Sequence, residues 1–487
     1  MMARLRSHAP LIIAVAGTLG ALVLLWLTRR QTLAMPPVFY FDAPGAFFAL
    51  LAWGGSALLL LVRKPVQQPA WRMLGAALFL TCAFVTALTP LVIVAYLAMT
   101  LLMTGTIRRR TRAALRRVTP LVLAVAALAL GYGALALRGA LRIDAPQAGA
   151  ALDSFVFWFV LLATSTPLMP LTATRPDIAV SRGAATHVLT FAWLYPLVRL
   201  YTLGPWNEGW SFATLVLGGG AMVWMSLTAF TARDHVVRSG YARHRFLAVA
   251  LAGTGLSSGA GLAATGYALL VYVLLAVTDA GQAGTDPVAE QDDSVSFLPS
   301  TLPTWLLSGA IPLTAPFIAT WMLVGAAAAG GISLLAAAAW FTALLAALSI
   351  VLEPPCAMSR TWWLAGVASL ALGIAAPLVV RILIQPSIEQ LQGGLSVYGD
   401  VNVWPWVGLA TGDSARTGVT ALPTIGAAGL MLVLSAMVYL LVRLLQPPVS
   451  TGPASGVPAR ENVLDELRRT VPWLGGDTAR APDHDDR

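Results

Sequence analysis

Ser165-Thr-Pro-Leu-Met-Pro-Leu-Thr-Ala-Thr-Arg-Pro-Asp177, followed after a short polar interval by Thr186-His-Val-Leu-Thr-Phe-Ala-Trp-Leu-Tyr-Pro-Leu-Val-Arg199, is an apolar stretch interrupted by Pro167, Pro170 and Pro176. Each proline removes an amide donor and frees a carbonyl. Inside a bilayer such a break survives only where protein buries it or where it lines a cavity. A second break, Ile311-Pro-Leu-Thr-Ala-Pro-Phe317, repeats the Pro-Leu-Thr-Ala of residues 170–173. Two interrupted spans in two halves of one chain point to a transporter-type interior. Proline is also frequent in ordinary transmembrane helices, so either break alone reads equally well as a simple kink.

Working outward, 57% hydrophobic residues, 11% charged residues and a mean hydropathy of +0.75 exclude a soluble domain and specify a multi-spanning membrane protein. The net charge of +9 is carried mainly by arginines in short loops between apolar runs, so it sets topology and does not indicate a nucleic-acid partner. Two cysteines, Cys82 and Cys356, are too few for a disulfide framework or a metal cluster, and no metal or cofactor is expected. Lys64 is the single lysine.

Against the ~20 residues needed to cross a bilayer, the apolar runs give about fourteen spans, from 10–28 to 422–446. The expected fold is therefore all-α and polytopic, with two broken helices. The first span ends in Arg29-Arg30 without a small-residue cleavage site and reads as a retained anchor, not a signal peptide. The runs 70–88 and 90–107 meet at Thr89-Pro90 and are expected to form a tight hairpin. Four sections follow: N-terminal spans at 1–68, a first half at 69–280, a second half at 281–447, and a tail at 448–487. Basic clusters at Arg63, Lys64 and Arg72, at 108–117, and at Arg233, Arg238, Arg243 and Arg245 fall on one side if the spans alternate. That side is expected to be cytoplasmic, with both termini on it. The acidic run 279–293 reads as a solvated linker or as a docking surface for a basic neighbour, and the tail helix near Val463 and Leu467 as a surface element.

The segment Pro167–Asp177 resembles a signature of the antiporter-like membrane subunits of respiratory complex I (NADH:quinone oxidoreductase) and of Mrp-type cation/proton antiporters. Five further fragments are similar in the same order. They are Phe41-Asp-Ala-Pro-Gly-Ala-Phe-Phe48, Tyr96-Leu-Ala-Met-Thr100, Phe191-Ala-Trp-Leu-Tyr-Pro-Leu-Val-Arg199, Asp234-His-Val-Val-Arg-Ser-Gly-Tyr241 and Ile311–Thr320. The resemblance covers residues 41–320 and implies a proton path built from one glutamate and several lysines. This chain departs from it at every such position. Thr100 stands at the glutamate, Ser165, Phe191, Val236 and Thr320 at the lysines, and Thr172 at a histidine. Hydroxyls relay hydrogen bonds but do not carry a proton charge near neutrality.

The candidate polar groups that remain are Asp177, His187 and Arg199. Asp177 reads as a helix cap or arginine partner, or as a relay. His187 reads as a hydrogen-bonded packing histidine or as a proton relay, since imidazole titrates near neutrality. Arg199 reads as an interface marker at the end of its span, or as part of a relay. The resemblance implies a divergent, non-catalytic subunit of a complex I-, Mrp- or hydrogenase-like assembly, partnered by other membrane subunits and the bilayer, in a bacterial or archaeal inner membrane. Its proton path is then degenerate and its role largely structural. The alternatives are an active proton-coupled transporter using His187 and Asp177, and a membrane subunit of an inorganic-carbon uptake complex.

Overall fold

The computed structural model describes residues 2–35, 38–62, 70–104, 112–142, 152–168, 187–232, 235–282, 306–309, 311, 313–351, 360–391, 394–395, 401–404, 408–411, 429, 433 and 437. The first break beyond Leu168, with Thr172 and Asp177, lies outside them, as do the tail and most of both the acidic run and the span 422–446.

The chain is a bundle of apolar helices. Helices α1 (Met2–Thr28) and α2 (Ala43–Val62) pack together, as do α3 (Ala70–Val85) and α4 (Thr89–Thr104), which form the hairpin expected at Thr89-Pro90. Helices α5 (Arg112–Leu137) and α6 (Ser154–Leu168) also pair. Outside the bilayer Arg138 meets Asp153 at 2.6 Å, and that guanidinium holds the Asp153 carboxyl below its ordinary range. After the short α7 (Tyr195–Arg199) come α8 (Glu208–Thr231), α9 (His235–Gly255) and α10 (Gly259–Gln282). They are followed by α11 (Ala315–Ala329), α12 (Ser333–Val351) and α13 (Arg360–Ile374). Among the described residues five helices are long and apolar enough to cross a membrane, and five shorter apolar ones stand beside them.

Local sequence explains the departures from straight helices. In α7 and its flanks, Pro196 has no amide to donate to the Ala192 carbonyl, and the chain tightens into a 3₁₀ turn over Thr190–Leu194. The Tyr195 amide and the Tyr96 hydroxyl, the latter at 2.6 Å, both bond that carbonyl. At the second break Leu313 adopts a left-handed φ of 71°, and Thr314 caps the turn by donating its hydroxyl to Ile311 O at 2.7 Å before α11 begins.

The run 362–382, expected as one span, is bent by 75°. Pro377 starts a new helix, α14 (Ala376–Val379), which continues through the π-turn Val380–Ile384 into α15 (Gln385–Leu391). Gly373, in the last turn before the bend, lies against the second break. A Cβ there would stand 1.8 Å from the Leu313 carbonyl oxygen. Backbone against backbone has no room to yield, so Gly373→Ala is expected to cost more than the ordinary ~1 kcal/mol of a point mutation. Its melting temperature, measured beside Gly220→Ala, where a Cβ meets nothing within 4 Å, checks this.

Two further differences from the sequence reading have simple causes. Short antiparallel ribbons occur at β1 (Leu33–Met35) with β2 (Phe39–Phe41) and at β3 (Val401–Trp404) with β4 (Gly408–Thr411), where no strand was expected. Pro36-Pro37 between β1 and β2 is incompatible with helix continuation. Helix α9, expected at 244–257, begins nine residues earlier, and α10 runs through Asp279. Arg243, Arg245 and Asp279 are therefore inside the bundle and not in loops. Their charges misled the sequence reading because tertiary partners, invisible in one dimension, make burial tolerable. Of the glycines Gly218 to Gly220, Gly218 supports close packing, since a Cβ there would meet the Ala252 backbone at 2.4 Å, whereas Gly220 faces open space.

Candidate functional site

The site is organised along the element from His187 to Thr202. Its 13-residue run from His187 to Arg199 covers about 20 Å of bundle depth. At one end stands Arg199, 1% exposed. Its Nη1 donates to Oδ2 of the equally buried Asp42 in a direct ion pair. Its guanidinium also lies 5.2 Å from the Tyr40 ring centroid and 6.0 Å from that of Tyr195. The other oxygen of Asp42 accepts from Gly45 N at 2.9 Å, so one carboxylate caps α2 and neutralises the arginine. Gln390, from α15, closes the same end by accepting from Ala43 N at 2.7 Å and donating to Thr28 O at 2.6 Å.

At the other end is a second polar group. Asp279 on α10 accepts from Arg243 at 2.6 Å and from Ser239 on α9. The His244 Nδ1 sits 2.7 Å from Gly240 O, and its ring is edge-on to His187, with centroids 6.1 Å apart, and to Tyr272. The Tyr272 hydroxyl donates to the His187 carbonyl at 2.5 Å.

Between the two ends lies Phe191, fully buried. Its ring packs 6.1 Å from Phe48, and Phe48 in turn packs on Phe84 at 5.6 Å and on Tyr195 at 5.1 Å. The other described substituted positions are Thr100, Ser165, Val236 and Thr320. Thr100 is 3% exposed, and its hydroxyl has no hydrogen-bond partner among the described residues. Ser165 and Thr320 donate to carbonyls of their own helices, Leu162 O at 3.3 Å and Pro316 O at 3.1 Å. Val236 lies in the first turn of α9. Of the three candidate polar groups, then, His187 and Arg199 belong to opposite polar ends, and Asp177 is outside the described residues.

Sequence reasoning missed His244 and the inward roles of Arg243, Arg245 and Asp279. It also missed a set of tyrosines that staple helices by donating to neighbouring carbonyls. Tyr96, Tyr132, Tyr195, Tyr201 and Tyr267 reach Ala192, Pro196, Phe84, Thr254 and Leu372 at 2.6–3.2 Å. Tyrosine in the middle of a span, away from the interfacial belt, was the available signal. Among the described residues no group of three or more His, Cys, Asp or Glu is placed to hold a metal.

No family model matches this sequence, and no curated protein sequence matches it. Solved structures do match in fold. A chain of the Mrp complex from Dietzia sp. DQ12-45-1b superposes with a TM-score of 0.67 at 16% identity, over 97% of this chain and 57% of that one. A chain of the membrane-bound sulfane sulfur reductase, an archaeal respiratory membrane complex, gives 0.65 at 15% identity over 96% and 91%. A chain of respiratory complex I from Thermus thermophilus gives 0.59 at 18% identity over 80% and 98%. This chain is thus a multi-pass membrane protein with the antiporter-like membrane subunit fold. It spans 57% of the length of the Mrp chain it matches.

Proposed function

We propose that this protein is a subunit of a larger membrane complex, built on the antiporter-like fold but without a continuous proton path, and that its role is to hold neighbouring subunits in place. The observation that carries the reading is Phe191, 0% exposed, with its ring against Phe48 where the sequence resemblance implies a lysine. A proton crossing from the His187 end to the Arg199 end would have to pass the Phe191 and Phe48 rings, which offer no titratable group. Each end carries an internal ion pair: Asp42 faces Arg199, and Asp279 faces Arg243. Structural likeness to chains of multi-subunit complexes supports membrane subunits as partners. The basic ends at Arg63, Lys64 and Arg72 and at 108–117 support a cytoplasmic orientation of that side in a prokaryotic inner membrane.

The test has two arms. Purified in mild detergent, the protein should bring other membrane subunits with it, and isolation as a lone chain sinks the assembly role. Reconstituted alone in sealed vesicles under an imposed pH gradient and potential, it should leave proton flux at the level of protein-free vesicles. Flux well above that level sinks the non-conducting role and revives His187 as a relay.

A further inference from the structure

Three consecutive basic residues on α9, Arg243, His244 and Arg245, fan out by about 100° each toward different neighbours. Arg243 meets the Asp279 carboxylate and is neutralised. His244 faces His187 and Tyr272. Arg245 turns toward α12 and the segment just before the second break. It is 4% exposed, donates to Thr342 O at 3.2 Å and Ser308 O at 3.1 Å, and lies 4.8 Å over the Phe246 ring. Among the described residues no carboxylate meets it, and its Nε has no partner.

Carbonyl oxygens solvate a guanidinium without cancelling its charge. Arg245 is enclosed by the bundle at 4% exposure. A charge buried there without a carboxylate is expensive to keep. Ser308 precedes the second break, where Leu313 adopts a left-handed φ and Thr314 donates to Ile311 O.

We propose that Arg245 is a fixed positive charge that bars protons and metal cations from the second broken helix. The inference rests on the non-conducting reading above and supplies its second closure: Phe191 blocks the first route by volume, Arg245 the second by charge. An arginine at a constriction excludes cations in this way without plugging it. Asp279, the nearest described carboxylate on the adjoining α10, is already engaged by Arg243 and Ser239 and leaves the Arg245 field unscreened.

The experiment reconstitutes the full chain and the variants Arg245→Lys, Arg245→Gln and Arg245→His in sealed phospholipid vesicles and follows proton and Na⁺ leak. Wild type and Arg245→Lys should match protein-free vesicles. Arg245→Gln should leak roughly tenfold faster, the scale expected for removing one unit charge at an effective dielectric of ~20. Arg245→His should be tight at low pH, where the imidazolium restores the charge, and should open as pH rises. If Arg245→Gln and Arg245→His insert and stay as tight as wild type, the barrier is overturned while the non-conducting reading stands. If neither inserts while Arg245→Lys does, the charge serves folding, and the barrier is again overturned. Leak through wild type itself overturns the non-conducting reading.

Discussion

Asp42→Ala is expected to cost 3–5 kcal/mol of stability, the range for removing one partner of a buried pair and leaving the other charge stranded. Arg199 has no alternative carboxylate among the described residues, and at 1% exposure it has no access to water. The same substitution removes the Asp42 cap on Gly45 N, worth about 1 kcal/mol by itself. Because most of the loss is the stranded guanidinium, Asp42→Ala combined with Arg199→Met should recover much of it. Replacing a buried pair by apolar groups of similar volume is often neutral. Thermal unfolding of the four proteins in one detergent measures the cycle. A loss under ~1 kcal/mol for Asp42→Ala, or strict additivity in the double variant, refutes the assigned role of the pair.

Phe191→Ala should cost a similar 3–5 kcal/mol, since it empties a fully buried ring site flanked by Phe48. Phe191→Leu, closer in volume, should cost clearly less. The more informative change is Phe191→Lys, which reinstates the residue type the resemblance implies. It places an ammonium among aromatic rings, and Thr100 offers a hydroxyl where a carboxylate counter-charge is needed. Proton flux in vesicles is therefore expected to stay at background, with a stability loss at least that of Phe191→Ala. Recovery of flux by this single change would mean that the rest of the path is intact and that the degenerate reading is wrong.

Much of the first half of the site was legible. Asp42 and Arg199 each sit in a recognisable fragment, and Thr100 and Phe191 depart from the pattern of theirs by residue type alone. Nothing in the sequence said that Asp42 and Arg199 touch, because they lie 157 residues apart and ion pairing is a property of the packed bundle. The second polar end was less legible. Arg243, His244 and Arg245 interrupt the hydropathy of α9, and a one-dimensional reading assigns such charges to a loop. Helix α9 carries them inward because each finds a partner or a pair of carbonyls on α10, α12 or the chain before α11. The bend at Ala375 was missed for a related reason. Pro377 allows it, but the contact of Gly373 with Leu313 is made only in the packed bundle.

By itself the sequence determined that the chain is a helical membrane bundle with an antiporter-like pattern, because hydropathy, proline breaks and arginine placement act locally along each span. It also determined that no buried lysine exists, since its one lysine is Lys64. Only the tertiary structure decided which charges meet a carboxylate, that Phe191 packs on Phe48 between the two polar ends, and that Arg245 meets carbonyls instead. Those outcomes depend on which side chains from distant spans meet in a low-dielectric interior, where a carboxylate a few ångströms away decides whether a charge is cancelled or felt.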